Sequence, residues 1–348
     1  MAEENKFDKF YSFRIATVND IEMIMNFIDI HWKKDHILAK DRELFEYQHV
    51  YGDKVTFLLA FSKETNELEA ILGYILTSSS IEKKDVWTAI WKVREDHNNV
   101  PMLEIELIKR LEKMEECRNV ILVGANPETS VPIMKIMMRY NTARMKHYYR
   151  LGNYEEFKIA LNVNTKTTND EYPSIKWKQL DENDFISSFC ELKNMDEIQD
   201  IPYKDQEYYV KRYYHHPYYS YQIFKIETKN DFCILILKEV EIEDRIISRV
   251  VDYVGNQNCF SECGLFFTDI LKEKKYEYID FYSLNFDEKY ICDAGFVERM
   301  ENDEVIIPNY MEPFLQENIE IYTCYKNDKC LIFKGDADQD RPNIIKNI

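Results

Sequence analysis

Apolar and polar positions along this chain follow two periods, and the order of those periods occurs twice. A strand-like run at 13–16 ends on Thr17, has Asp20 three positions on, and opens into Ile21, Ile24 and Ile28 at helical spacing. A strand leading into a capped helix gives that pattern, because the cap side chain accepts from amides that the first helical turn leaves free. The series returns at 177–185, WKQLDENDF, with Asp181 as the cap and Asp184 as the acid. A spacing of about 160 residues is too long for a solenoid repeat. It fits a duplicated domain.

The first copy predicts a strand at 13–16, a helix from 21, and a polar helical stretch over 31–49. A hairpin follows at 55–61 and 70–77, then a strand at 86–93. Leu103, Leu107, Leu111 and Met114 share one face of a helix at 102–114. A buried strand at 120–125, a helix at 129–140 and strands at 146–151 and 157–163 close the copy. The second copy predicts strands at 175–180, 219–226, 232–239, 246–254 and 278–282, with helices at 185–192, 265–272 and 286–293. Strands at 296–300, 305–307, 320–325 and 329–333 complete it. This order indicates an α/β (α+β) class, with two tandem mixed central sheets and helices on both faces. A right-handed crossover through the main helix should make the fourth and fifth strands parallel. The expected division is 1–163, a polar linker at 164–172 (NTKTTNDEY), and 173–348.

Composition narrows the function. The chain has 348 residues and is 45% apolar, enough for two cores. Its formal net charge is −18 with no basic stripe, which argues against nucleic acid and against an anionic membrane surface. Eight cysteines lie in apolar contexts without metal-ligand spacing, as expected of reduced core thiols, and no metal is expected. With no apolar leader and no run of 18 apolar residues, a cytoplasmic location is expected. Only eight glycines occur, and neither a P-loop nor a dinucleotide fingerprint is present.

The element order, opening on FRIATVND, resembles the GNAT acyltransferase superfamily, present as a tandem pair over nearly the whole chain. RVVDYVG (249–255), YEYIDFYSL (276–284), IIPNYMEPF (306–314) and KGDADQDRPN (334–343) are similar to blocks in tandem GNAT-like proteins that accompany bacterial surface-glycan and nonulosonate biosynthesis. The resemblance implies an acyl-CoA co-substrate, acetyl-CoA or another, held where the fourth strand feeds the main helix. There the backbone amides of a Gly-containing loop cradle the pyrophosphate. In the first copy that loop is Arg94 to Pro101, with two acids and no glycine. In the second it is Gly255 to Gly264, so Val254, Gly255, Asn256, Gln257, Asn258, Ser261 and Gly264 are the expected cradle.

The chemistry implied is removal of an acceptor proton by a base and protonation of the departing thiolate. Asp252, Asp280 and Tyr282 are the candidates in the second copy, with 278, 280 and 282 on one sheet face. Tyr290 stands where the superfamily's thiolate-protonating Tyr lies. Acids on buried strands can equally be structural carboxylates, and Arg249 is near in sequence. His31 and Asp35, four apart on an expected helix, with Trp32 and His36 beside them, suit a sugar. Asp336, Asp338, Asp340 and Arg341 form an acidic tail expected to fold and line a cleft. The expected activity is N-acetyl transfer to an amino sugar or nucleotide-sugar, with a homodimer compatible. The alternatives are a non-catalytic binding or scaffold protein, and Fem-like aminoacyl transfer, which the acidic charge disfavours.

Overall fold

A computed structural model describes residues 5–163, 172–195, 201–229, 231–301 and 304–343. The first copy runs β1 (Tyr11–Thr17), α1 (Ile21–Phe27), α2 (Ile37–Lys40), α3 (Arg42–His49), β2 (Val50–Tyr51), β3 (Lys54–Ser62), β4 (Leu68–Leu76) and β5 (Asp85–Val93). It continues with α4 (Leu103–Met114), β6 (Asn119–Val123), α5 (Ser130–Met137), β7 (Asn141–Arg144) and β8 (Lys146–Leu151). The second copy runs β9 (Lys176–Gln179), α6 (Glu182–Met195), α7 (Gln206–Tyr213), β10 (Gln222–Glu227), β11 (Phe232–Ile242), β12 (Arg245–Val254) and α8 (Gly264–Lys274). After β13 (Tyr276–Leu284) and α9 (Glu288–Asp293) come β14 (Val297–Glu298), β15 (Tyr310–Met311), β16 (Phe314–Leu315), β17 (Tyr322–Tyr325) and β18 (Ile332–Phe333). Apart from Tyr172, the expected linker at 164–172 lies outside the described residues.

Both expected caps form. The Asp20 carboxylate accepts from the Thr17 amide at 2.8 Å, and the Asp181 carboxylate accepts from the Asp184 amide at 2.8 Å. Paired to Arg14 as well, Asp20 is held down at about 2.

The sheets are built alike. The first is ordered β1-β3-β4-β5-β6-β17-β7, with β2 beside β3; the second is ordered β9-β10-β11-β12-β13-β8-β14, with β18 beside β13. In both, the fourth and fifth strands (β5 and β6; β12 and β13) are parallel, joined through α4 or α8. The sixth position differs from a simple duplication. It is filled by β17 in the first sheet and by β8 in the second, so each copy places its last long strand in the other's sheet. The 157–163 segment makes only an isolated bridge, Leu161 to Ile306, rather than a strand.

Each sheet covers one core with its crossover helix. Leu103, Leu107 and Leu111 of α4 pack with Leu58, Leu72 and Val86. Phe266, Phe267 and Ile270 of α8 pack with Leu235, Val250 and Phe281. The opposite sheet faces meet: Trp87 and Ile121 join Ile234, Ile236, Val251 and Tyr282 in one buried cluster that also takes in α6 and α7. The function must be sought along this seam and at the strand ends that open onto it.

The expected helix over 31–49 breaks. Ile28–Trp32 forms one wide turn, closed by the Lys33 amide on the Ile28 carbonyl, and Asp35 takes a left-handed φ of 58°. The Trp32–Asp35 stretch has no apolar stripe to hold it on the core, and Asp29 accepts the Asp35 amide instead. His31 and Asp35 therefore do not share one helical face.

The last segment is tied into the second sheet at Gly335. Its amide donates to the Val251 carbonyl at 2.7 Å, and a Cβ there would meet that same oxygen at 2.8 Å and the Tyr213 hydroxyl oxygen at 2.4 Å. Backbone oxygen cannot move aside as a flexible side chain can. We expect Gly335→Val to lower unfolding stability by about 1–3 kcal/mol, read as a lower urea midpoint. An unchanged midpoint would show that 332–336 is not seated as described.

Candidate functional site

Two forks define where an extended ligand could enter. In the first copy the parallel pairing of β5 with β6 ends at Trp87 and Ile121, while β5 runs on to Val93. In the second copy the pairing of β12 with β13 ends at Val250 and Phe281, while β12 runs on to Val254. A bulge lies just beyond each last pair. Ala89 and Ile90 stand against the single residue Gly73, and Val251 is the extra residue between the pairs made by Val250 and Asp252. Bulges re-aim a strand and end its pairing, which is how these strands part.

The second fork is filled by the chain itself. β18 pairs with the end of β13, Ser283 to Phe333 and Leu284 to Ile332, and the Gly335 amide bonds β12 at Val251. Phe333 drops into the α8 core, where its ring stacks 5.8 Å from Phe281, and Ile332 faces the seam. The loop that follows is equally committed. Asn256 accepts the Asn258 amide on its side chain and the Cys259 amide on its carbonyl. The Gln257 side chain accepts from Asp287, and the Ser261 hydroxyl donates to the Asn258 carbonyl. A Cβ at Gly264 would meet the Tyr172 ring at 2.1 Å. Val254 is buried in the seam. The expected cradle at 254–264 thus spends these amides internally, on the floor of an occupied fork.

The first fork is held more loosely. A trans peptide points its carbonyl and amide to opposite sides. The Gly124 amide bonds Tyr322 of β17, so the Val123 carbonyl faces the fork, where it accepts from the Gln339 side chain at 3.1 Å. Beyond that contact, Trp91, Val100, Ala125 and Val131 are only partly buried against the α4 core. They mark the end of β5, the loop after it, the residue past β6 and the first turn of α5. His31 reaches the same loop, with Nδ1 3.8 Å from the Asp96 carboxylate. Burial, and then Arg94, lower the His31 pKa, so its imidazole is neutral at pH 7. Asp96 and Glu95 are themselves paired with Arg94 and Lys92. Asp35 is exposed and pairs with Lys40. His36 is buried, caps α2 by accepting the Leu38 amide, and is pushed down to about 3 by desolvation.

The acids expected to do chemistry lie in the seam and are neutralised there. Asp280 has no exposed surface and receives both Arg249 nitrogens at 2.8 Å. His147 of β8 donates from Nε2 at 3.1 Å, a tautomer assigned because Arg299 donates to Nδ1. Burial raises the Asp280 pKa, but Arg249 outweighs it and the net shift is downward. Tyr282 lies flat on His147, ring centroids 3.8 Å apart. Asp252 accepts two contacts of 2.8 Å from Lys204 and one of 2.7 Å from the Tyr213 hydroxyl. Lys204 also reaches Asp336 at 2.9 Å. These contacts fit charges held in place rather than a base open to substrate. Tyr290, in α9, is partly buried beside the second core, away from both carboxylates.

The tail is folded, as its composition suggested. Asp340 accepts from Lys238 at 2.6 Å and from the Tyr221 hydroxyl at 2.7 Å, and Asp338 pairs with Arg341. Much of this network rests on α7, which the sequence pattern does not reveal. Its faces are filled by Tyr208, Tyr209, Arg212 and Tyr213 instead of aliphatic residues. The usable signal was Asp205, whose side chain caps the helix by accepting the Tyr208 amide.

Among the described residues, Glu67, Glu69 and His97 bring ligand-type atoms within 4.8 Å of one another. Arg94 donates to Glu67 and sits 2.9 Å from His97, supplying the positive charge a cation would bring. No helix among the described residues is long and apolar enough to cross a membrane.

Two outcomes follow from the seam. Asp280→Asn leaves Arg249 buried beside a neutral partner, and it should cost about 3–5 kcal/mol by chemical denaturation; a loss below about 1 kcal/mol would sink the assignment. Asp336 is pushed up to about 6 from an ordinary 3.8, by burial first and by Asp252, against Lys204. The folded chain then holds this proton more tightly than the unfolded chain. Its contribution is complete below about pH 4 and is lost as pH rises through about 6. Relative to Asp336→Asn, wild type should lose stability across that window; a constant difference in melting temperature would refute the coupling.

No protein-family model matches the chain, and no curated protein matches it in sequence. Solved structures do match in fold. A GCN5-related N-acetyltransferase from Anabaena variabilis ATCC 29413 aligns with TM-score 0.56 and 12% identity, over 90% of this chain and 72% of that one. A conserved protein of unknown function from Enterococcus faecalis V583 aligns with TM-score 0.55 and 5% identity, over the same shares. The two mixed sheets, each with its parallel pair, bulge and crossover helix, are therefore two tandem GNAT-like domains.

Proposed function

We propose that this protein is an acyl-CoA-dependent acyltransferase whose donor enters the first fork, not the second. The observation that carries the reading is the asymmetry: 332–335 fills the second fork, whereas a single side chain, Gln339, touches the first. In this reading the thioester lies between β5 and β6. His31, neutral and beside the fork's loop, takes the proton from an acceptor amine as its nitrogen attacks the thioester carbonyl. The C–S bond breaks and the thiolate takes up a proton from solvent. The half-exposed Trp32 beside His31 offers an apolar face to a sugar ring. An amino sugar or nucleotide-sugar of a surface-glycan pathway is the acceptor class that the similarity of the C-terminal blocks favours, and a cytoplasmic setting goes with it.

A second reading, a non-catalytic binding protein, is favoured by one specific observation. The loop after β5 pairs its bases with its own acids and offers a pyrophosphate no spare cation. Calorimetry with acetyl-CoA separates the two. Binding at or below about 1 mM is expected, with Ala125→Trp weakening it at least tenfold and Asn258→Glu leaving it unchanged. No heat at millimolar acetyl-CoA would favour the binding protein, and sensitivity to Asn258→Glu alone would return the donor to the second fork. With an amino-sugar acceptor, His31→Gln should cut thiol release about 100-fold while donor binding persists.

A further inference from the structure

The seam holds a cavity outside both forks, roughly 320 Å³ in volume, walled by Tyr47, Tyr51 and Ile75 from the first copy and by Tyr208, Lys211 and Ala337 from the second. Most buried or half-buried cations around it have a carboxylate. Lys204 has Asp252 and Asp336, Lys238 has Asp340, and Arg249 has Asp280. Arg212 is spent on the carbonyls of Gly335 and Asp340. Lys211 differs. Its Nζ lies 3.8 Å from the centre of the Tyr51 ring and 5.5 Å from that of Tyr47, and among the described residues it makes no hydrogen bond or ion pair.

We infer that this cavity binds a small organic monocarboxylate with a flat, apolar body, its carboxylate received by Lys211. Removing an ammonium from water without a counter-ion is costly, and an anion entering the cavity would supply the missing partner. Burial alone holds the Lys211 pKa down to about 8, which is what an ammonium lacking an acid partner shows. The ligand's charge should be single. One cation faces the space, Asp336 and Asp340 lie behind it, and the chain carries −18 overall. A dianion such as a phosphate monoester would leave one charge unmatched. Its body should be flat, because three tyrosines form the walls and aromatic faces favour stacked or edge contacts. The Gln48 amide is turned to His49, at 3.2 Å, and adds no second anchor. Because α3, β4 and α7 all contribute, such a ligand would bridge the two copies. The site takes no part in acyl transfer as proposed above, so its occupancy can be measured without any donor.

Benzoate and its neutral counterpart benzamide are suitable probes, titrated into the full chain by calorimetry. Benzoate should bind in the millimolar range or tighter, and benzamide at least tenfold more weakly. Lys211→Met should weaken benzoate at least tenfold, and Ile75→Phe, which fills the space, should abolish it. Benzoate should also slow acetylation of Lys211 by acetic anhydride, followed by mass spectrometry. Should Lys211→Met not fold, the benzoate–benzamide comparison and the labelling, both on the unaltered chain, decide the matter. Equal affinity for benzoate and benzamide, no association at about 10 mM, or labelling of Lys211 indifferent to benzoate would each overturn the site.

Discussion

The reciprocal exchange of one strand is the constraint on which this structure depends. β8 leaves the first copy to pair with β13, and β17 leaves the second to pair with β6 and β7. A sheet missing its sixth strand would expose two rows of unpaired backbone groups, so neither sheet is complete without the other copy's chain. The exchange also presses the two inner faces together, which explains why the largest mixed cluster of buried residues draws on both copies.

A seam made in this way has to accommodate charge. Strand faces that would meet water in a single domain here meet another sheet, and their acids are enclosed. Asp280 is balanced by Arg249 and by His147, the latter delivered by the exchanged strand itself. Asp252 and Asp336 share Lys204 from the segment leading into α7. Such pairs contribute little net stability compared with apolar packing, yet they punish the loss of either partner. They therefore specify how the sheets are placed. The cavity at Lys211 is where that balance is left open.

The final segment links seam and forks. From 332 to 340 it completes the second sheet across its fork, buries Asp336 and Asp340 among lysines, and sends Gln339 to the mouth of the first fork. Two forks with the same bulge have thereby become unequal. Composition suggested a folded tail because KGDADQDRPN places acids around a single glycine. That a two-residue strand would occupy the ligand groove of its own domain depends on how far β12 and β13 part, and no local pattern encodes that.

What the amino-acid order determined alone is the local and repeated part. The caps at Thr17 and Asp181, the faces of α4 and β13 and the parallel pair in each copy all follow from short-range spacing and turn chemistry. What the tertiary structure decided is long-range. Which sheet receives β8, which base meets Asp252, and which fork stays open turn on contacts between residues more than a hundred positions apart in several cases, such as His147 with Asp280 and Lys204 with Asp336. Hydrophobic periodicity reports which face of an element is buried, but not against what. A chain written twice leaves two self-consistent ways to pair the same strands, and only packing of the whole molecule chooses between them.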